Sequence, residues 1–291
     1  MKTRIFILCA GKNTKYYGIT RQLLKIDGEE ILGRMIRLIR NEYDNEIFII
    51  TNNNIIEDFI KSIGDDRIIL FHPIGERYHM ESLYSSKKEW VERNIFLFGD
   101  IVFSKHAIKK ILNSDNKLSF FFRVKPHLYL NKRYPEMFGW LIPLNEANKM
   151  LDIILRSYEG ASIYGGVFIF NSIWKEFGLR LGKEHLEFES YKPRSLISKL
   201  CLNEFIRGFF YRMIRSFEGK IIRFIFYKAK LSEKWRNKLI KFFLGKKIPD
   251  YNKNLLSSKY IVEIHDTTDD IDSPIEYKDY IKLIVKRGLL K

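Results

Sequence analysis

The stretch RIFILCAGKNTK, residues 4–15, starts as an unbroken apolar run and changes character within two residues. Ile5 to Ala10 suit a strand buried on both faces, because nothing polar interrupts them. At Gly11 the chain enters a short loop of small, polar and basic residues. Two readings are open for that loop. One is an ordinary turn. The other is a cradle in which backbone N–H groups, with Lys12 and Lys15, meet phosphate oxygens. It is not a Walker loop, since no Gly-Lys-Ser/Thr follows, and it is not a dinucleotide fingerprint. Nor does it suit a secretory leader. The apolar run falls short of the roughly 7–15 residues of such a leader's core, and lysines follow at once.

Working outward, strand and helix signals alternate. EILGRMIRLIRNEY (30–43) carries Ile31, Leu32, Met35, Ile36, Leu38 and Ile39 on one helical face. NEIFIIT (45–51) reads as a strand, IIEDFIKSI (55–63) as a helix and RIILF (67–71) as a strand. ESLYSSKKEWV (81–91) reads as a helix, and NIFLFGD (94–100) as a fourth strand. Continuous apolar strands separated by helices predict an α/β fold, Rossmann-like and doubly wound, with a mostly parallel sheet. Further strands are expected at LSFFFRV (118–124), FGWLIPL (138–144) and YGGVFIFN (164–171). Residues 259–285 read as a strand, an acidic loop and a closing helix. Ser273 is that helix's N-cap and Pro274 lies in its first turn.

The 291 residues are 46% hydrophobic and 15% aromatic, enough for a sizeable core. Cys9 and Cys201 lie far apart with no metal spacing around them, which fits a reducing cytoplasm better than a disulfide framework. No stretch approaches the roughly 18 apolar residues of a membrane span. The formal net charge is +16, and it is uneven. Between Lys199 and Lys247 there are 14 Lys or Arg against 3 Glu, a net of +11, which leaves about +5 for the remainder. Eleven aromatics interleave with that charge, and the apolar positions Ile206, Phe209, Phe210, Met213, Ile214 and Phe217 follow helical spacing. The expected organisation is one domain built from residues 1–198 and 251–291, with a basic aromatic helical insertion at 199–250. The insertion packs its aromatics on the core, or it lies on anionic lipid at the inner membrane face. Nucleic acid is the least favoured partner, because no recognised binding module surrounds the charge.

Two acidic features could carry chemistry. Asp100 ends an apolar strand directly after Gly99, at the edge where such sheets bind ligands, and it suits Mg²⁺. It also suits a plain turn cap. HDTTDDIDSP (265–274) packs Asp266, Asp269, Asp270 and Asp272 together. Such carboxylates repel one another unless a cation or basic groups lie nearby, and the other reading is a solvated loop. Arg123, Lys132 and Arg133 either meet an acceptor phosphate or form a solvated basic loop.

Taken in order, these pieces resemble the nucleotidyltransferase family of sugar-phosphate and phospho-alcohol nucleotidylyltransferases, which also includes molybdenum cofactor guanylyltransferase. LCAGKNTKYYGITRQLLKIDGEEIL (8–32) looks like its signature loop, GDIVFS (99–104) like its metal-binding Gly-Asp, and DDIDSPIEY (269–277) like its closing motif. The resemblance implies the nucleotide-diphospho-sugar transferase type of fold and a Mg²⁺-dependent transfer of NMP from an NTP to a phosphorylated small-molecule acceptor, with pyrophosphate released. It implies that Arg21, Lys15 and Asp100 are catalytic. Leu8, Cys9, Ala10, Gly11, Lys12, Glu81 and Ser82 would contact the nucleotide, and Asp100 with Asp272 or Asp270 would hold the metal. The family's Thr-Arg is Thr14-Lys15 here, and its Pro-Lys is Thr20-Arg21. Lys15 keeps the charge without the fork of a guanidinium, and Arg21 keeps a positive charge. The alternatives are a glycosyltransferase of the related fold, using a nucleotide sugar, and a non-catalytic nucleotide- or membrane-binding paralogue.

Overall fold

Strand β1 (Thr3–Leu8) lies inside a seven-stranded sheet whose geometry follows from its sequence. The computed structural model describes residues 1–10, 15–16, 18–74, 79–124, 127–130, 136–164, 235, 260–271 and 274–290. After β1 come two short antiparallel ribbons, β2 (Lys15–Tyr16) with β3 (Ile19–Thr20) and β4 (Lys25–Ile26) with β5 (Glu29–Glu30). Helix α1 (Ile31–Arg40) buries the apolar face expected of it. Strand β6 (Ile47–Ile50) leads to α2 (Asn54–Ile63) and β7 (Ile68–Phe71). The Asn53 side chain caps α2 by accepting from the Ile55 N–H at 3.0 Å, and Gly64 stops it in the left-handed region.

Next come α3 (His79–Ser85), β8 (Arg93–Phe98), β9 (Ile101–Val102) and α4 (Lys105–Leu112). Strands β10 (Ser119–Arg123) and β11 (Glu136–Pro143) precede α5 (Leu144–Tyr164). The chain is described again at β12 (Ile261–Glu263), β13 (Asp269–Asp270) and the closing helix α6 (Pro274–Leu283).

The order across the sheet is β12-β10-β11-β8-β1-β6-β7. Every neighbouring pair is parallel except the two made by β11, which runs antiparallel to both β8 and β10. Strands β1, β6 and β8 are buried almost throughout, so both faces of the sheet are covered. Helix α1 packs on α4 and α3 on α5. This is the Rossmann-like α/β arrangement expected from the sequence. The aromatic centre of the core includes Phe6 stacked on Phe96 at 4.7 Å, with Trp90 and Trp140 against Phe96.

A second, smaller core holds Leu24, Ile26, Ile31, Val102, Leu130, Ile271, Tyr280 and Ile284. It joins the segment after β1, the residues after β8 and the closing helix. The Tyr280 hydroxyl adds a hydrogen bond to the Thr267 carbonyl at 2.8 Å, and the Tyr277 hydroxyl one to the Lys25 carbonyl at 2.7 Å.

Three expectations change. The helix expected over 81–91 stops at Ser85, continues as a 3₁₀ turn over Ser86–Glu89, and is extended by Trp90. The helix α5 was not foreseen, and Tyr164, expected to begin a strand, is its last residue. The acidic loop contains a strand, β13, and Asp269 within it is buried rather than solvated. Residues 165–171, Ser273 and nearly all of the 199–250 insertion lie outside the described residues.

Candidate active site

The order of strands sets the place. From β1 the chain steps outward through β6 to β7, then returns to the other side of β1 as β8. That reversal between β1 and β8 is a topological switch point. The crevice at the carboxyl ends of two such strands is where open α/β sheets take ligands. The segments that end there are those flagged in the sequence, Ala10 after β1 and Gly99-Asp100 after β8.

The two strand ends are pressed together. Leu8 pairs with Phe98, and the Gly99 N–H donates to the Leu8 carbonyl at 3.0 Å. A Cβ on Gly99 would stand 2.3 Å from Cys9 Sγ and 3.1 Å from the Leu8 oxygen. Only glycine allows this approach, and the approach puts Asp100 beside the end of β1. Leu8, Cys9 and Ala10 are buried, and the Cys9 N–H donates to the Ile50 carbonyl at 2.8 Å. The side chains of Leu8 and Cys9, expected to line a nucleotide, therefore belong to the core. Burial, and after it the Asp100 charge, push the Cys9 thiol far above its ordinary range, so it stays protonated. Gly11 and Lys12 lie outside the described residues, as does the Lys15 side chain.

Arg21 opens a 3₁₀ turn (Arg21–Leu23) after β3. Its Nη2 lies 2.6 Å from Asp100 Oδ2, with both side chains largely buried. Two residues expected to be catalytic thus meet. The guanidinium fork gives Asp100 a fixed counter-charge.

The acidic run separates into distinct roles. Asp266 is structural. It accepts from the Ser104 hydroxyl at 2.6 Å and from the Thr268 N–H at 2.7 Å, while Ser104 caps α4 by accepting from the Ala107 N–H at 2.9 Å. Asp269 is fully buried in an ion pair with Arg123, whose other arm meets Glu136. Arg123 is therefore an internal tie, neither a phosphate ligand nor part of a solvated loop. Asp270 is partly exposed. Strand β13 pairs with β9 so that Asp270 stands opposite Ile101, one residue from Asp100. Asp272 lies outside the described residues. Among the described residues no cluster of three or more metal-ligating side chains forms.

Glu81 and Ser82 lie on α3. Ser82 is buried and its Oγ has no hydrogen-bond partner among the described residues, while Glu81 is partly exposed and its carbonyl accepts from the Ser85 hydroxyl at 2.7 Å. The sequence reading missed the Arg123–Glu136–Asp269 triad as a unit. Its one local signal is an arginine ending the apolar strand SFFFR.

Comparison with known proteins follows the same line. The bifunctional IPC transferase and DIPP synthase of Thermococcus kodakarensis is 28% identical over 110 residues, 37% of this chain and 26% of that protein. The protein of the same name from Archaeoglobus fulgidus is 28% identical over 115 residues, 39% of this chain and 23% of that protein. The resemblance to the nucleotidyltransferase family is borne out. The chain spans about a quarter of the length of these curated relatives. No protein-family model matches it. The inositol-1-phosphate CTP transferase from T. maritima aligns with a TM-score of 0.41 at 11% identity, over 52% of this chain and 72% of that one. The fold class rests on the strand order described above and not on that alignment.

Proposed function

We propose that this chain is a divalent-cation-dependent nucleotidyltransferase. It moves NMP from an NTP to a sugar phosphate or a small phospho-alcohol and releases pyrophosphate. The observation that carries the reading is the pairing of β13 with β9, which sets Asp270 opposite Ile101, the residue that follows Asp100 at the switch point. The archaeal relatives are named for a transferase activity, as the reading requires.

An acceptor phosphate oxygen attacks the α-phosphorus. The new P–O bond forms as the bond to the bridging oxygen of the β-phosphate breaks, and pyrophosphate leaves with that electron pair. Asp100 and Asp270 suit Mg²⁺, which is commonly held by one or two carboxylates plus substrate phosphates. Asp272 is the third ligand this reading assigns. When bound, the cation supplies neutralisation of the phosphate charge. Arg21 holds Asp100 in place and puts a permanent positive charge at the crevice. Backbone from Ala10 onward, with Lys12 and Lys15, cradles the triphosphate, and Glu81 and Ser82 line the base or acceptor side.

Return of the chain to the same sheet at β12 supports one interrupted domain, 1–198 with 251–291. We assign the 199–250 insertion to peripheral contact with anionic membrane. Its net charge of +11 over 199–247 and the exposed Trp235 support this, and sedimentation with anionic but not neutral vesicles is the expected result. Among the described residues no helix is long and apolar enough to cross a membrane.

The deciding experiment is thermal-shift binding of the four NTPs with and without Mg²⁺, followed by pyrophosphate-release assays with phosphorylated acceptors. A ligand present at a thousand times its Kd adds about 4 kcal/mol to folding stability. One NTP should stabilise the protein in a Mg²⁺-dependent way, and Asp100→Asn should abolish turnover without unfolding the chain. Wild-type turnover in Asp100→Asn would overturn the proposal.

A further inference from the structure

We propose that Arg123 is a positioning residue whose buried guanidinium anchors Asp269 and so holds β13, with Asp270 on it, in place beside β9. The inference rests on the cation-site reading above and assigns a residue that reading leaves out.

Strand β13 is only two residues long, and its pairing with β9 is correspondingly short. Successive side chains in a strand point to opposite faces, so Asp269 and Asp270 lie on opposite sides of β13. A slip of one residue would exchange them. Two residues of pairing give little resistance to such a slip, so register must be fixed by something outside the strand.

Arg123 supplies the constraint. It is fully buried at the end of β10, directly opposite Glu136 on β11. The β10–β11 register shifts at Phe121 and Phe122, leaving Phe138 as the extra residue of a bulge just before this pair. Bulges of this kind re-aim nearby side chains. One arm of Arg123 meets Glu136, and Nη1 lies 2.5 Å from Asp269 Oδ1. Both carboxylates are themselves buried. An aspartate buried against a guanidinium is strongly favoured over one buried without it. Asp269 is thereby held inward, and the partly exposed Asp270 is kept opposite Ile101. The neighbouring bond from the Ser104 N–H to Thr268 Oγ1, at 3.0 Å, ties the chain just before the strand, and the ion pair anchors the strand itself.

The test uses the full chain and Mn²⁺ as the probe, with free Mn²⁺ followed by electron paramagnetic resonance in the absence of nucleotide. The variants are Arg123→Lys, which keeps the charge without the fork, and Asp269→Asn, which keeps the shape without the charge. Asp270→Asn is the benchmark. Both positioning variants should bind Mn²⁺ about 10- to 100-fold more weakly than wild type, the usual scale for groups that orient a metal ligand. Their turnover should recover at saturating Mn²⁺, whereas that of Asp270→Asn should not. Should Arg123→Lys fail to fold, Asp269→Asn decides alone. Wild-type Mn²⁺ affinity in the positioning variants, with binding lost in Asp270→Asn, would overturn the role of Arg123 and leave the cation site standing. Undiminished Mn²⁺ binding in Asp270→Asn itself would remove the underlying reading instead.

Discussion

Replacing Gly99 with alanine tests how tightly the two strand ends are joined. The added Cβ would stand 2.3 Å from Cys9 Sγ, 3.1 Å from the Leu8 oxygen and 3.5 Å from Gln22 Cγ. Non-bonded carbon contacts are comfortable at about 3.5–4.0 Å, so only the last distance is acceptable and the first falls short by more than about 1 Å. Cys9 is 1% exposed and flanked by the sheet, so its sulfur has no open space to rotate into. Overpacking of this kind costs about 1–3 kcal/mol. Gly99→Ala should therefore lower stability by about 2 kcal/mol, read as a lower urea midpoint at an unchanged slope. Cys9→Ala removes the atom responsible. On that background the Gly99→Ala penalty should shrink by more than about 1 kcal/mol, a coupling well outside the scatter expected for independent sites. If the two losses simply add, the clash with sulfur is not what makes glycine necessary, and the account of how Asp100 reaches the crevice fails.

Two further predictions address the surroundings. Ser104→Ala removes the cap of α4 together with the hydroxyl that Asp266 accepts, and should cost about 1–2 kcal/mol in chemical denaturation, with Ser104→Thr largely sparing it. Glu29 is held below its ordinary value of 4.5, chiefly by hydrogen bonds from Arg37 at 2.8 and 2.7 Å. A depressed carboxylate stabilises the fold above its unfolded pKa and loses that contribution as pH falls through the folded value. The urea midpoint of Glu29→Gln should thus lie below wild type at pH 7 and converge with it under acid conditions.

Much of the fold was legible because the signals are local. The apolar runs Ile47–Ile50 and Ile95–Phe98 leave no choice but buried strands, and Asn53 and Gly64 mark both ends of α2. The helix expected over 81–91 failed for a local reason too. The Ser86 hydroxyl donates to the Leu83 carbonyl and accepts from Trp90 Nε1, offering the backbone an alternative to another helical turn. Of the candidate site, the sequence offers the residue types Arg21, Asp100 and Asp270, and the structure brings the first two together. That Arg21 touches Asp100 was not visible, because nothing in the turn after β3 announces where its first residue points. The burial of Asp269 was not visible for a different reason. Its partner Arg123 lies 146 residues away, and no local pattern distinguishes an aspartate with a buried partner from one in water.

The pairing of Ile101 with Asp270 has a consequence for the making of the protein. Most of the central sheet is specified by the first third of the chain and can gather as that part leaves the ribosome. The second carboxylate arrives only after the whole intervening stretch has been synthesised, and contacts so distant in sequence form late. A nascent chain can thus present a folded crevice with Asp100 in it well before Asp270 exists. The same arrangement makes the intervening stretch cheap to lengthen, since each doubling of a flexible loop adds only about 0.6 kcal/mol to its closure. Evolution could enlarge that stretch without redesigning the crevice, provided the returning strand still found its place beside Ile101.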